Sequence, residues 1–529
     1  MHPSTIPQLL RGAALAFGDN EYVVTGDRSL TFAEAERESR LLAKRLLRHG
    51  VGKGTVIGIL FPQGPDFVVA LLAVTRIGAV AVPLSTFQRG PELRRALRHV
   101  DVDSLIAPGV FLGRDLRNEL EGILPELRRA TGDQLFLHDM PYLRRIWLVG
   151  ASDRPWVTDL PALAELPDEA AIDEQLFAGV ESEVADSDRM VIVQTSGATA
   201  EPKAVVHTHA SQVHQATRLA ELYGLASDVR TFTTMPFFWV GGLTVVLLTH
   251  LCVGATVITL ERADSGEMLD LIERTRPTRL LGWTLVERLR ADPSFATRDL
   301  RWLTDLNAEA TPTGLRHGSL GMTETGGPHT AVPTADNQVD LPAALRGSFG
   351  RPVAGVEHRI VDPGTGAPVR DGTEGEIWVR GDILMEGLYK KGRHQTFERD
   401  GWYRTGDRGY FRDGYLFFTG RLTEMIKTGG ANVAPREVEL ALESLPGVKA
   451  AFVVGIPDDV RGEMVGCLVC PETGHDLDPN EIRAQLGEIL SSYKIPRKII
   501  VKPYDEAPWL ASGKISKPRV LHLLLNQGR

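Results

Sequence analysis

The chain has 529 residues, 43% of them hydrophobic and 24% charged, so it is too long for one ordinary core and too apolar for disorder; two or more globular domains are expected. A formal net charge of -9 argues against a broad nucleic-acid surface, because phosphate backbones reward clustered Lys and Arg. Its three cysteines, Cys252, Cys467 and Cys470, are too few for a disulfide framework.

The first stretch, MHPSTIPQLLRGAALAF, lacks a basic leader, and the longest apolar candidate, VIGILFPQGPDFVVALLAV, is broken by Pro62, Pro65 and Asp66. No membrane span is expected, and the expected location is cytoplasmic. Thr31 and Glu34 form a capping box ahead of Ala35, Leu42 and Leu46 at helical spacing, and Gly50 stops that helix. The strand VIGILF, the helix DFVVALLAVTRIGA and the strand VAVP follow, a βαβ rhythm that implies a mostly parallel sheet. RIWLVG is a further strand, GRDLRNELEGILPELRRATGD is read as helical, and ASDRPWVTDLPALAELPDEA as loop.

The run TSGATAEPK, 195 to 203, sits between the apolar stretches MVIVQ and AVVHTH. Thr195, Ser196 and Thr199 offer hydroxyls, Gly197 permits close backbone approach, and Lys203 supplies a point charge for phosphate oxygens. It is not a Walker loop, and by itself it fits a Ser/Thr turn between strands equally well. The following HTHASQVH brings His207, His209 and His214 close in sequence, but without acidic or cysteine partners it is set aside as a metal site. Toward the C-terminus, TFERDGWYRTGDRGYFRDGYLFFTGR implies tight β turns. EVELALESL, AAFVVGI, GCLVC and EIRAQLGEIL then alternate helix and strand, enough for a small α+β domain beginning near Arg421. Cys467 and Cys470 form a CxxC spacing, read as core cysteines of a strand.

Four later motifs, GMTETGG at 321 to 327, GWYRTGDRGYFRDG at 401 to 414, GRLTEMIKTGGANVAPREVE at 420 to 439 and ASGKISK at 511 to 517, join TSGATAEPK in order. Together they resemble the motif series of the adenylate-forming acyl-CoA synthetases, relatives of luciferase and of peptide-synthetase adenylation domains, from about Leu30 to Lys517. The resemblance implies an α/β fold. A large N-terminal adenylate- and acyl-binding domain, 1–420, has mixed or parallel sheets flanked by helices plus a β-rich subdomain. A small mobile α+β domain, 421–529, turns about a hinge near 421–424. It also implies two steps: a carboxylate attacks the α-phosphate of ATP, then the thiol of coenzyme A displaces AMP.

Carried over position by position, Glu324 resembles the Mg2+ carboxylate and Thr323 a phosphate hydroxyl, while Leu320 and Gly321 border the adenine. Asp407 resembles the ribose-binding carboxylate, with Arg421 near ribose and phosphate. Lys514 resembles the lysine that reaches the carboxylate and α-phosphate, where a charge pair at 4 Å is worth about 4 kcal/mol at an effective dielectric near 20. Lys427, Gly429 and Gly430 resemble the loop lining the thiol's approach. In MPFFWVGGL, Phe238, Trp239, Gly241 and Gly242 resemble the acyl-pocket segment, with Trp239 where relatives have histidine; Phe237 and Trp283 add bulk, which suggests a hydrophobic acid.

Several positions depart from the family. Ala198, Ala200 and Ala204 replace a hydroxyl and two glycines, Leu320 replaces an adenine-stacking tyrosine, only Thr313 to Ser319 separate Pro312 from Leu320, and Thr423 stands at the pivot in place of aspartate or lysine. With no aspartate in the pocket segment to hold an amino group and no downstream carrier domain, an amino-acid adenylation domain is disfavoured. Three readings follow: a full acid:CoA ligase using Mg-ATP, which is favoured; a ligase that performs only the thioester half on an acyl-adenylate made by a partner adenylating enzyme; and a nucleotide-binding pseudoenzyme.

Overall fold

A computed structural model describes residues 3–26, 28–88, 90–150, 153–169, 171–195, 203–262, 264–282, 285–303, 318–332, 341–422, 426–428, 431–433, 435–458, 461–490, 492–510 and 513–526. Its internal contacts form two units: Met1–Ala308 with Gly321–Pro328 and Gly381–Thr396, and Glu309–Leu320 with His329–Arg380 and Phe397–Arg529.

The first unit contains an eight-stranded sheet in the order Gly387–Leu388, Lys203–Thr208, Arg189–Thr195, Val80–Pro83, Val56–Ile59, Ser104–Pro108, Arg145–Val149, Thr158–Leu160. From Arg189–Thr195 onward all neighbours are parallel, as the βαβ rhythm predicts, whereas the first three strands pair antiparallel. A second sheet of five strands orders Arg279–Leu281, Arg230–Thr233, Thr256–Thr259, Glu21–Thr25 and Arg28–Thr31. The helix Pro65–Arg76 is buried except at Asp66, and its Phe67, Val69 and Leu71 share one core with Ile57 and Val191 of the first sheet and Val23 and Val257 of the second. A helix apolar on every face has to lie inside like this. Its last residue, Arg76, is fully buried, with Nε on Glu181 at 2.7 Å and Nη2 on Glu36 at 2.9 Å, so the interior charge is neutralised.

The capping box of the helix Phe32–Arg48 is complete: the Glu34 N–H donates to Thr31 Oγ1 at 3.2 Å, and the Thr31 N–H donates to the Glu34 carboxylate at 2.9 Å. Two expectations change in the charged region that follows. The single helix expected at 113–133 is a helix Leu116–Ile123 and a 3-10 turn Pro125–Arg129, because Pro125 has no N–H with which to continue the ladder. The stretch read as loop contributes the strand Thr158–Leu160, parallel to Trp147–Val149.

Among its described residues the second unit contains two larger sheets. One carries Val356–Val361, Gly375–Gly381, Tyr403–Arg412 and Tyr415–Arg421, the last two joined as an antiparallel hairpin that fulfils the expected tight turn, with Asp413 and Gly414 at φ +52 and +78. The other is built on Val448–Asp458 and Gly462–Pro471, flanked by Ile426–Thr428, Ala431–Val433 and Lys498–Val501. Helices Pro435–Glu443 and Pro479–Ile489 cover one face of it through Val438, Leu442, Ile482 and Leu486, and the helix Lys517–Asn526 covers the other through Val520 and Leu524. Position 421 closes the first of these sheets.

Candidate active site

In the first unit the strands Arg189–Thr195 and Lys203–Thr208 form a hairpin whose register sets Thr195 opposite Lys203. Ser196, Gly197 and Thr199 lie outside the described residues. Alternation along the strand puts Ala204 and Val206 into the core with Ile192, while Lys203 and His207 share the opposite face. The Ala204 methyl, in place of the family's glycine, is thus a core group.

Lys203 and Glu324, 121 positions apart, meet there: Nζ lies 3.1 Å from Oε1. Glu324 sits on the 3-10 turn Thr323–Thr325 and is only 8% exposed, which is unlike a solvated turn acid. Hydrogen bonds to its carbonyls and to those just beyond it fix the turn. The Met385 N–H donates to the Glu324 carbonyl at 2.9 Å, Thr325 Oγ1 donates to the Gly327 carbonyl at 2.6 Å, and Gln215 Nε2 donates to the Pro328 carbonyl at 2.6 Å. His207 Nε2 lies 2.7 Å from the Thr323 carbonyl oxygen; a carbonyl only accepts, so the ring is the Nε2–H tautomer. Burial pushes the His207 pKa down to about 4, which keeps the ring neutral at neutral pH. Gly321, beside Leu320 on the strand Ser319–Met322, approaches Gly327 so closely that a Cβ there would lie 2.7 Å from that residue's carbonyl. No side chain fits at 321.

Among the described residues no group of three or more His, Cys, Asp or Glu is placed to hold a metal. His209 accepts from the Ile6 N–H at 3.2 Å, and His214 pairs with Asp382 at 3.0 Å. A Mg2+ ion on a triphosphate needs only one or two carboxylates beside the phosphate oxygens, and the buried carboxylate of Glu324, on a hydrogen-bonded turn, is a hard oxygen donor that fits such an ion.

The pocket segment holds an aromatic cluster. Phe238 and Trp239 are edge-on at 5.4 Å, and Phe87, which the sequence did not single out, meets them at 5.4 and 6.1 Å. Phe87 is 51% exposed, whereas Phe237 is buried and turns into the core against Phe67. Gly241 and Gly242 form the helical turn that follows, and a Cβ on Gly242 would lie 2.2 Å from the Pro236 carbonyl, so the segment folds back only with glycine there. Trp283 lies outside the described residues.

In the second unit Asp407 is almost wholly buried and sits across the hairpin from Arg421, whose Nε lies 2.9 Å from Oδ1. The Asp407 N–H donates to Thr405 Oγ1 at 2.9 Å, which in turn donates to the Ile377 carbonyl at 2.7 Å, so the carboxylate is held on a rigid strand. Lys514 is exposed, its carbonyl accepting from the Leu510 N–H at 2.8 Å after Gly513 at φ +73. Lys427 lies on the strand Ile426–Thr428, opposite Asn432. Thr423, Gly429 and Gly430 lie outside the described residues.

The family description "AMP-binding enzyme" matches residues 10–389, and "AMP-binding enzyme C-terminal domain" matches 437–514. The chain belongs to the AMP-binding enzyme family and is an AMP-forming acid–thiol ligase by class. Among curated relatives, a putative acyl-CoA synthetase YngI of Bacillus subtilis is 31% identical over 97% of this chain and 96% of its own. A 3-[(3aS,4S,7aS)-7a-methyl-1,5-dioxo-octahydro-1H-inden-4-yl]propanoyl:CoA ligase of Rhodococcus jostii is 30% identical over 97% and 98%. Among solved structures, the anthranilate CoA ligase AuaEII in complex with anthranoyl-AMP aligns at a TM-score of 0.77 with 23% identity, covering 98% of this chain and 97% of that one.

Proposed function

We propose that the chain is a carboxylic acid:CoA ligase that carries out both half-reactions on a hydrophobic acid. The acid's carboxylate oxygen attacks the α-phosphorus of ATP, and the bond to the β-phosphate oxygen breaks to give acyl-AMP and pyrophosphate. The thiol sulfur of coenzyme A then attacks the acyl carbon, AMP leaves with the electron pair of the broken mixed-anhydride bond, and the thiol proton is released. Lys203 and Lys514 offset the charge of the crowded phosphates and carboxylate, Asp407 accepts from the ribose hydroxyls, and Arg421 lies beside it. Thr195, Ser196, Gly197 and Thr199 line the phosphates, while Lys427, Gly429 and Gly430 line the thiol's path. Bound through Glu324, Mg2+ would supply charge neutralisation at the phosphate oxygens. The domain division proposed is 1–420 and 421–529, with the pivot at 421–424.

The observation that carries this reading is the Lys203–Glu324 contact at 3.1 Å. A cation and an anion held together on fixed backbone are suited to a triphosphate and its metal, and a chain that had given up the ATP half would have no call for the pair. Ala204 weakens the thioester-only alternative, because its methyl packs in the core. A hydrophobic acid is supported by Phe87, Phe238 and Trp239, and by relatives named for bulky ring acids. The deciding experiment offers a panel of acids with Mg-ATP and CoA and, in parallel, the matching acyl-adenylates with CoA alone. Product in both arms is expected, with aromatic and alicyclic acids ahead of acetate; product from supplied adenylates alone would overturn the full-ligase reading.

A further inference from the structure

The strand Lys203–Thr208 touches the Thr323–Thr325 turn twice from one face. Lys203 reaches the Glu324 side chain at 3.1 Å, and His207, four residues on, donates through Nε2–H to the Thr323 carbonyl at 2.7 Å. The His207 ring is fully buried, with Ser211 Oγ 3.4 Å from its Nδ1, so it cannot touch a nucleotide or an acid. We infer that His207 is a positioning residue for the adenylation half-reaction: its hydrogen bond fixes the backbone from which Glu324 presents its carboxylate to the metal–triphosphate. This rests on the role proposed above for Glu324.

The physical argument is one of aim. A carboxylate on a short 3-10 turn moves with the turn's backbone, and a buried group that orients a ligand residue typically changes affinity or activity by tens of fold when removed. A histidine that merely fills the core would be replaceable by leucine at a cost in stability alone. Here the same strand face that carries the phosphate-binding lysine carries the ring, so side chain and backbone of one turn are held by one rigid element. Gln215 holds the far end of the same loop at Pro328 and Met385 holds the Glu324 carbonyl, so the His207 bond anchors the turn on its N-terminal side, at Thr323.

The test compares His207→Leu, His207→Gln and Glu324→Gln in the full chain. It reads ATP–pyrophosphate exchange across a Mg2+ titration, acyl-CoA formation from supplied acyl-adenylate, and thermal melting. His207→Leu is expected to lose roughly 10–100-fold in exchange and to need more Mg2+, while thioester formation stays within about twofold; His207→Gln, which keeps an N–H donor, should recover most of the exchange. Equal loss in both half-reactions, or no loss in either, overturns the inference. Should the leucine variant not fold, His207→Met replaces it against His207→Gln, and equal exchange in those two overturns it as well. Exchange lost in Glu324→Gln but kept in His207→Leu sinks the inference alone, whereas exchange that survives in Glu324→Gln sinks the role of that carboxylate beneath it.

Discussion

Trp239 stands where the family resemblance expects a histidine, and it is met edge-on by Phe238 and Phe87. Edge-to-face aromatic contacts are each worth about 1 kcal/mol beyond area burial, so the three rings stiffen one another, as the proposed acyl-binding role requires. Trp239→Ala should therefore raise KM for the best bulky acid by about tenfold and leave acetate nearly unchanged, as read from steady-state kinetics over the acid panel. Lys203, Glu324 and Asp407, which the proposed function uses, stand out in the sequence because their motifs carry identity and spacing together, and the structure brings the first two within 3.1 Å. His207 and Phe87 were not, for a geometric reason: no local pattern tells which face of a strand will meet a turn 116 positions away, or which loop will lean on an aromatic pair. The one available cue was the four-residue spacing of Lys203 and His207, which places both on one strand face.

At the scale of elements, the helix Phe32–Arg48 is the best-announced piece of the fold, since its cap, periodicity and stop are all local signals. Thr31→Ala removes one half of the reciprocal cap and is expected to cost about 1 kcal/mol, measurable as a lower urea midpoint with unchanged slope. The same helix carries Arg45 and Arg48 against Glu169, and Lys44 between Asp168 and Glu174, tying down the stretch that follows the strand Thr158–Leu160. That strand escaped the sequence reading because three residues between prolines show no period, and its pairing with Trp147–Val149 is purely tertiary. The CxxC was read as core, and the strand shows why: an odd spacing sends Cys467 to one face of the sheet and Cys470 to the other, and burial pushes the Cys470 thiol up to about 11.

For the molecule as a whole, the parallel rhythm of the first unit was legible from repeated strand–helix alternation, while the antiparallel edge was not, because Gly387–Leu388 is too short to leave a pattern. Buried histidines contribute to its response to acid. His209 and His250 are held near 4 by burial, against an ordinary value of 6.5, and His250 is satisfied as the neutral ring, donating from Nδ1 to the Val246 carbonyl at 2.8 Å and accepting from Thr231 at Nε2 at 2.8 Å. The unfolded chain takes up these protons first, so their contribution is intact above pH 6.5 and drains away as pH falls toward 4. The urea midpoint, followed by tryptophan fluorescence, should be flat near neutrality and drop through that window, and His250→Leu should flatten the drop by up to about 1.4 kcal/mol per pH unit. The strand order carries one more consequence. Among the described residues, Lys203–Thr208 is paired on its outer side by Gly387–Leu388, and Gly381–Thr396 belongs to the first unit although part of the second, His329–Arg380, lies before it in the chain. During synthesis that seam stays open until those late residues leave the ribosome, so a nascent chain exposes a bare hydrogen-bonding edge for much of its growth, and chaperone capture or mispairing competes with completion there.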